Sequence, residues 1–177
     1  MITADHRSEG RPGYDRDLAA LLQANYREAA RAAGNLRVSL RRTQTLFPIA
    51  AQTLESLDEE AKERIDAFRV RFADLQDLLA GKLFRGLLRL EEEPALSQLD
   101  VIHAMEKRAI VPSFDDWKQL RVIRNAFMHE YPEEAAERAE ALNLAQTGAI
   151  GLIETLARLR AYAVGHIGLP PDTLPLV

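Results

Sequence analysis

The sequence predicts an all-α fold, an antiparallel helical bundle of four main helices plus shorter helices. Three observations carry that expectation. Ala, Leu, Arg and Glu dominate the 177 residues and aromatics reach only 6%, a composition of high intrinsic helix propensity. No stretch alternates apolar and polar residues for long, as a half-buried strand would. Apolar residues instead recur three or four apart, most clearly in Ile65, Phe68, Phe72, Leu75, Leu79 and Leu83, the spacing that lines one helix face.

Each element has its own signals. Residues 1–13 contain Gly10, Pro12 and Gly13 without a periodic apolar face and are expected as a flexible arm. A single bundle domain is expected over 14–165. Its first helix runs from about Asp15 to Ala33 and stops at Gly34-Asn35. A second covers about Leu36 to Leu54, interrupted near Phe47 because Pro48 lacks an amide N–H. Ser56-Leu57-Asp58-Glu59 has capping-box spacing and opens a helix reaching about Leu90, where Gly81 and Gly86 permit a bend or a close contact. Glu91-Glu92-Glu93-Pro94 breaks the chain before a short helix over about Ser97 to Arg108. Ser113 is the expected N-cap of the next helix, with Asp115 and Asp116 favourable in its first turn. That helix carries Trp117, Leu120, Val122, Ile123 and Phe127 and ends near Tyr131-Pro132. A last long helix spans about Glu133 to Val164, with Gly148 and Gly151 as points of close packing, and 166–177 form a C-terminal tail.

Composition excludes several functions. The chain has no Cys, which removes disulfides, thiolate metal sites and thiol nucleophiles and suits a reducing compartment. No apolar run approaches the roughly 18–20 residues of a membrane span, and Met1 to Gly13 lack the order of a signal peptide. A cytoplasmic protein with no membrane partner is expected. The formal charge of −4 argues against a chain that coats nucleic acid through excess basic charge, and leaves room for a local basic site. No cofactor is expected and no metal: the paired Glu-x-x-His of di-iron bundles, the His-Glu-x-x-His zinc motif and Gly-rich phosphate loops are all absent.

One segment says more than helical bundle. It reads Arg124-Asn125-Ala126-Phe127-Met128-His129-Glu130-Tyr131. On an ideal helix Asn125 lies beneath His129, and Arg124 beneath Tyr131. Arg124 and His129 lie about 140° apart at 3.6 residues per turn, so they converge only if the helix distorts near Pro132 or a second subunit closes the site. The groups suit RNA cleavage. An imidazole titrating near neutrality takes the 2′-hydroxyl proton or protonates the leaving 5′-oxygen. A guanidinium holds the phosphate through paired hydrogen bonds and stabilises the charge that builds up. Asn125 can orient the imidazole, and Tyr131 can contact a phosphate or a base.

The Arg124, Asn125, His129 and Tyr131 pattern, with Trp117 two turns upstream, resembles the HEPN superfamily. In its Arg-Asn-x-x-x-His-x-Tyr form it resembles HepT toxins of the bacterial MNT–HEPN toxin–antitoxin systems. The resemblance is specific over Ser113 to Tyr131, general over 56–164, and does not cover the first 50 residues. It implies a HEPN-like bundle acting as a homodimer, and a metal-independent endoribonuclease with Arg124 and His129 catalytic and Asn125 supporting. It also implies a nucleotidyltransferase antitoxin as partner, with Tyr131 as the residue adenylylated. The acidic Pro132-Glu133-Glu134 that follows departs from a purely basic RNA site.

Other readings of the same residues stay open. His129 as a cation at a helix C-terminus is favourable without any function, Arg124 taken alone suits a surface ion pair with an Asp or Glu, and Tyr131 at a helix end suits a core edge. Lys82, Arg85 and Arg89 are either a solvated face or a phosphate track leading RNA to the site, and Arg37, Arg41 and Arg42 share that ambiguity. The alternative function is a non-catalytic HEPN-like helical module that binds a nucleotidyltransferase.

Overall fold

The computed structural model describes residues 13–94, 97–129 and 132–177. The expected arm, Gly13 apart, and Tyr131 lie outside the described residues. The fold is an all-α helical bundle. Its elements are α1 (Arg16–Thr43), α2 (Ala51–Glu55), α3 (Glu59–Asp77), α4 (Phe84–Leu90), α5 (Gln98–Lys107), α6 (Phe114–Met128) and α7 (Ala135–Tyr162). A π-helical turn, Leu78–Leu83, joins α3 to α4. Four long rods, α1, α3–α4, α6 and α7, enclose one core, with α2 and α5 as short pieces.

The first helix is one element where the sequence suggested two. Gly34 and Asn35 lie exposed in mid-helix, flanked by the fully buried Ala33 and Leu36. Burial on both sides carries α1 through a residue pair that would stop an isolated helix. A Cβ on Gly34 would meet nothing. Gly34→Ala is therefore expected to raise stability by about 0.5–1 kcal/mol, read as a higher urea midpoint. An unchanged or lower midpoint would mean that the helix relaxes at this point.

The break foreseen at Pro48 is real, with a 3₁₀ turn over Gln44–Leu46 and a cis Phe47–Pro48 peptide. Beyond it, only Ala51–Glu55 is helical before the next cap. Asn143 on α7 clamps this crossing: its amide oxygen accepts from Ile49 N (2.8 Å) and its amide nitrogen donates to Ile49 O (2.9 Å). Asp58, not Ser56, caps α3, accepting from Ala61 N at 2.8 Å, while Ser56 closes α2. The capping box of this fold is at Ser97 and Asp100. Ser113 caps α6 as expected, accepting from Asp116 N at 3.0 Å.

Two polar bridges fix how α1 and α3 lie together. Arg71 donates to Ser39 Oγ at 2.7 Å, and Lys82 pairs with Glu28 at 2.7 Å. Numbers rise along one rod as they fall along the other, so the two are antiparallel. Gly86 lets α4 approach Leu22 of α1, where an added Cβ would sit 3.2 Å from Cδ1. Gly148 does the same for α7 against Leu120 of α6, at 2.6 Å. Gly151 does not, since nothing lies near it.

The C-terminal residues 166–177 pack down on the bundle. Leu169 and Leu174 are buried, Arg160 donates to Leu174 O (2.6 Å) and Tyr26 donates to Pro175 O (3.1 Å). Burial pushes the Tyr26 hydroxyl up to about 12, against the opposing pull of Arg160, so it stays a neutral donor. Among the described residues, no helix is long and apolar enough to cross a membrane.

Candidate active site at the end of α6

The site is built where α6 stops. Its apolar side, Trp117, Ile123 and Phe127, is buried, which turns Arg124 and Asn125 to the rim. The helix ends at Met128, earlier than the Tyr131-Pro132 stop expected from sequence. His129 leaves the helix with φ −130° and ψ −32°, while its N–H still bonds Asn125 O at 2.9 Å. Helical φ is near −63°, so this single change of backbone swings the imidazole back over the last turn. The 140° separation vanishes: Arg124 Nη1 lies 3.1 Å from His129 Nε2. A guanidinium only donates, so Nε2 is the acceptor in this contact.

The other arm of the fork is also engaged. Arg124 Nη2 meets Asp77 Oδ2 at 2.6 Å. Nη1 donates additionally to Asn125 Oδ1 at 3.3 Å. The Asn125 amide thus supports Arg124 and not the imidazole, contrary to the role expected for it. Arg69, eight residues before Asp77 on α3, donates to Phe127 O at 2.7 Å, and its guanidinium lies 5.5 Å from the Phe127 ring centroid. One helix, α3, therefore engages both a terminal carbonyl of α6 and the Arg124 guanidinium. Beyond the site, Arg138 of α7 donates to the carbonyls of Pro132 and Glu133.

Arg124 faces a cleft of about 450 Å³, lined also by Asp77, Gly81, Gln98, Arg121 and Asn125. The π-helical turn borders it, and such turns are frequent at functional sites. Gly81 is shared with a smaller groove, about 130 Å³, that carries Lys82, Arg85 and Arg89. Lys82 is paired with Glu28 and Arg85 donates to Gln98 Oε1 (3.2 Å), while Arg89 is exposed. The structure thus brings the three cations to a groove that adjoins the Arg124 cleft. Arg37, Arg41 and Arg42 are exposed on α1 and border neither space.

The residue that sequence reasoning missed is Asp77. The chain has 27 acidic residues, and nothing in spacing marks the one that meets Arg124. The other histidines described are used locally. His103 stacks on Phe114 and His166 on Tyr162. Among the described residues, no group of three or more His, Asp or Glu side chains is placed to hold a metal ion. No family model, no curated protein and no solved structure matches the chain.

Proposed function

We propose that this chain is a HEPN-type, metal-independent endoribonuclease toxin of a toxin–antitoxin pair. The observation that carries the reading is the 3.1 Å contact of His129 with Arg124, whose side chain lines an open cleft that adjoins a basic groove. An RNA phosphate entering the cleft takes the guanidinium fork and releases Nε2. The freed nitrogen accepts the 2′-hydroxyl proton, the 2′-oxygen attacks phosphorus, and the 5′-oxygen leaves with a proton donated by imidazolium or water. Arg124 stabilises the charge on the pentacoordinate phosphorus. Lys82, Arg85 and Arg89 guide the strand.

A homodimer, and a nucleotidyltransferase antitoxin that adenylylates Tyr131, belong to the same proposal. Support for a second copy comes from an apolar groove of about 250 Å³ between α6 and α7, beside Val122 and Leu144, which are 61% and 52% exposed. The test is RNA cleavage in EDTA by the purified protein beside its His129→Ala variant. Cutting by the parent alone supports the reading, and equal cutting by both sinks it. A non-catalytic HEPN-like module is favoured by one observation, the carboxylate already occupying an arm of Arg124.

Asp77 separates positioning from binding. Asp77→Asn removes a negative charge beside the cleft and the anchor of Nη2. The expected kinetic result is an unchanged or lower KM with kcat down about tenfold, because only the oriented guanidinium matches the transition state. The half-exposed pair adds little to stability, so the thermal midpoint should hold. An unchanged kcat would show that Asp77 does not orient the site.

A further inference from the structure

A second cavity, about 520 Å³, lies between α1 and α3 and is walled by Arg31, Asn35, Arg71, Asp74, Asp77 and Lys82 among others. Its size is that of a small-ligand pocket. The two polar bridges described above close its ends: Arg71 with Ser39 at one, Lys82 with Glu28 at the other. Between them two charged groups stand unused. Among the described residues, the Asp74 carboxylate and the Arg31 guanidinium have no hydrogen-bond or ion-pair partner, and they do not pair with each other. One comes from each of the two helices that wall the cavity.

We infer that this cavity binds guanine. A carboxylate and a guanidinium facing one space from separate walls ask for a ligand with paired donors on one edge and paired acceptors on another. Guanine presents N1–H and the N2 amino group to the carboxylate, and O6 and N7 to the guanidinium. The other bases fail at Asp74. Adenine and cytosine set a ring-nitrogen acceptor beside their amino group, and uracil offers a single N–H between two carbonyls. Asp77 lines both this cavity and the Arg124 cleft, so the two spaces adjoin. In an RNA strand the pocket would select a guanosine beside the cut. That strand-bound form rests on the endoribonuclease reading, whereas a free guanine nucleotide needs only the cavity.

Two binding arms test this. In the first, GMP, AMP, CMP and UMP are titrated into the protein to several millimolar, followed by amide NMR shifts. GMP is expected to bind at least tenfold tighter than the others, with Asp74→Asn and Arg31→Ala each removing about tenfold. Both side chains are exposed, so the variants should fold, and the unperturbed NMR spectrum verifies it. In the second, the His129→Ala protein is mixed with uridine octamers with and without one guanosine. Tighter binding of the guanosine octamer, lost in Asp74→Asn, places the base in a strand. No preference among the four nucleotides, or a preference that Asp74→Asn leaves intact, overturns the inference whether or not RNA is cut. A GMP preference in a protein that cuts no RNA sinks the nuclease reading and leaves a site for free guanine nucleotide.

Discussion

Under the proposed ribonuclease function, replacing His129 by alanine is expected to lower RNA cleavage by about 10²–10⁴-fold, the range contributed by one general acid–base group. The side chain is exposed at the end of α6, and its loss deletes no core contact. Thermal stability should stay within about 0.5 kcal/mol of the parent, so lost activity cannot be blamed on unfolding. Single-turnover cleavage in a chelator reads the effect without interference from product release. Among the described residues, His129 is the imidazole within hydrogen-bond reach of Arg124, and its Nε2 faces the group that would hold the phosphate. Arg124→Lys is no substitute control for a conservative change, because a single ammonium cannot reproduce a fork that engages His129 and Asp77 together.

The largest stability effect is expected at Phe72. This ring is fully buried, tilted against Phe68 at 6.4 Å and edge-on to Phe127 at 5.7 Å, and it lies beneath Gly148 of α7. Phe72→Ala should cost about 3–5 kcal/mol, a large share of the roughly 5–15 kcal/mol of a whole domain. For a chain of this length the thermal midpoint should fall by roughly 6–20 °C. Cleavage should weaken even at temperatures where the variant stays folded, since Phe127 anchors the turn that carries Arg124 and His129. A loss below about 1 kcal/mol would show that neighbouring side chains refill the space.

Much of this was legible in the residues. The period of the apolar series placed the α3–α4 rod, and Ser113 placed the start of α6. Gly34-Asn35 misled because a helix is held by what it buries, and Ala33 and Leu36 are buried on either side. Ser56 misled because two polar cappers stood two residues apart, and the backbone gave the role to Asp58. At the site, Arg124 and His129 could be named from spacing, yet ideal helix geometry kept them apart. Only the early end of α6 joins them. Asp77 and the Asp74–Arg31 cavity were not legible, because each depends on the antiparallel register of α1 and α3, and a pattern within one helix carries no information about register with another.

The π-helical turn gives the rod one place that tolerates a change of chain length. Its hydrogen bonds close over five residues where those of an α-helix close over four, so Leu78–Leu83 harbours an added residue relative to a regular rod. Removing one residue there would let the ladder return to α-helical closure while the residues downstream keep their facing, because the wide turn already absorbs the extra one. A deletion elsewhere in the rod would instead turn everything downstream by about 100°. Gly86 would then leave Leu22, and Arg85 and Arg89 would rotate away from the rim they share with Gly81.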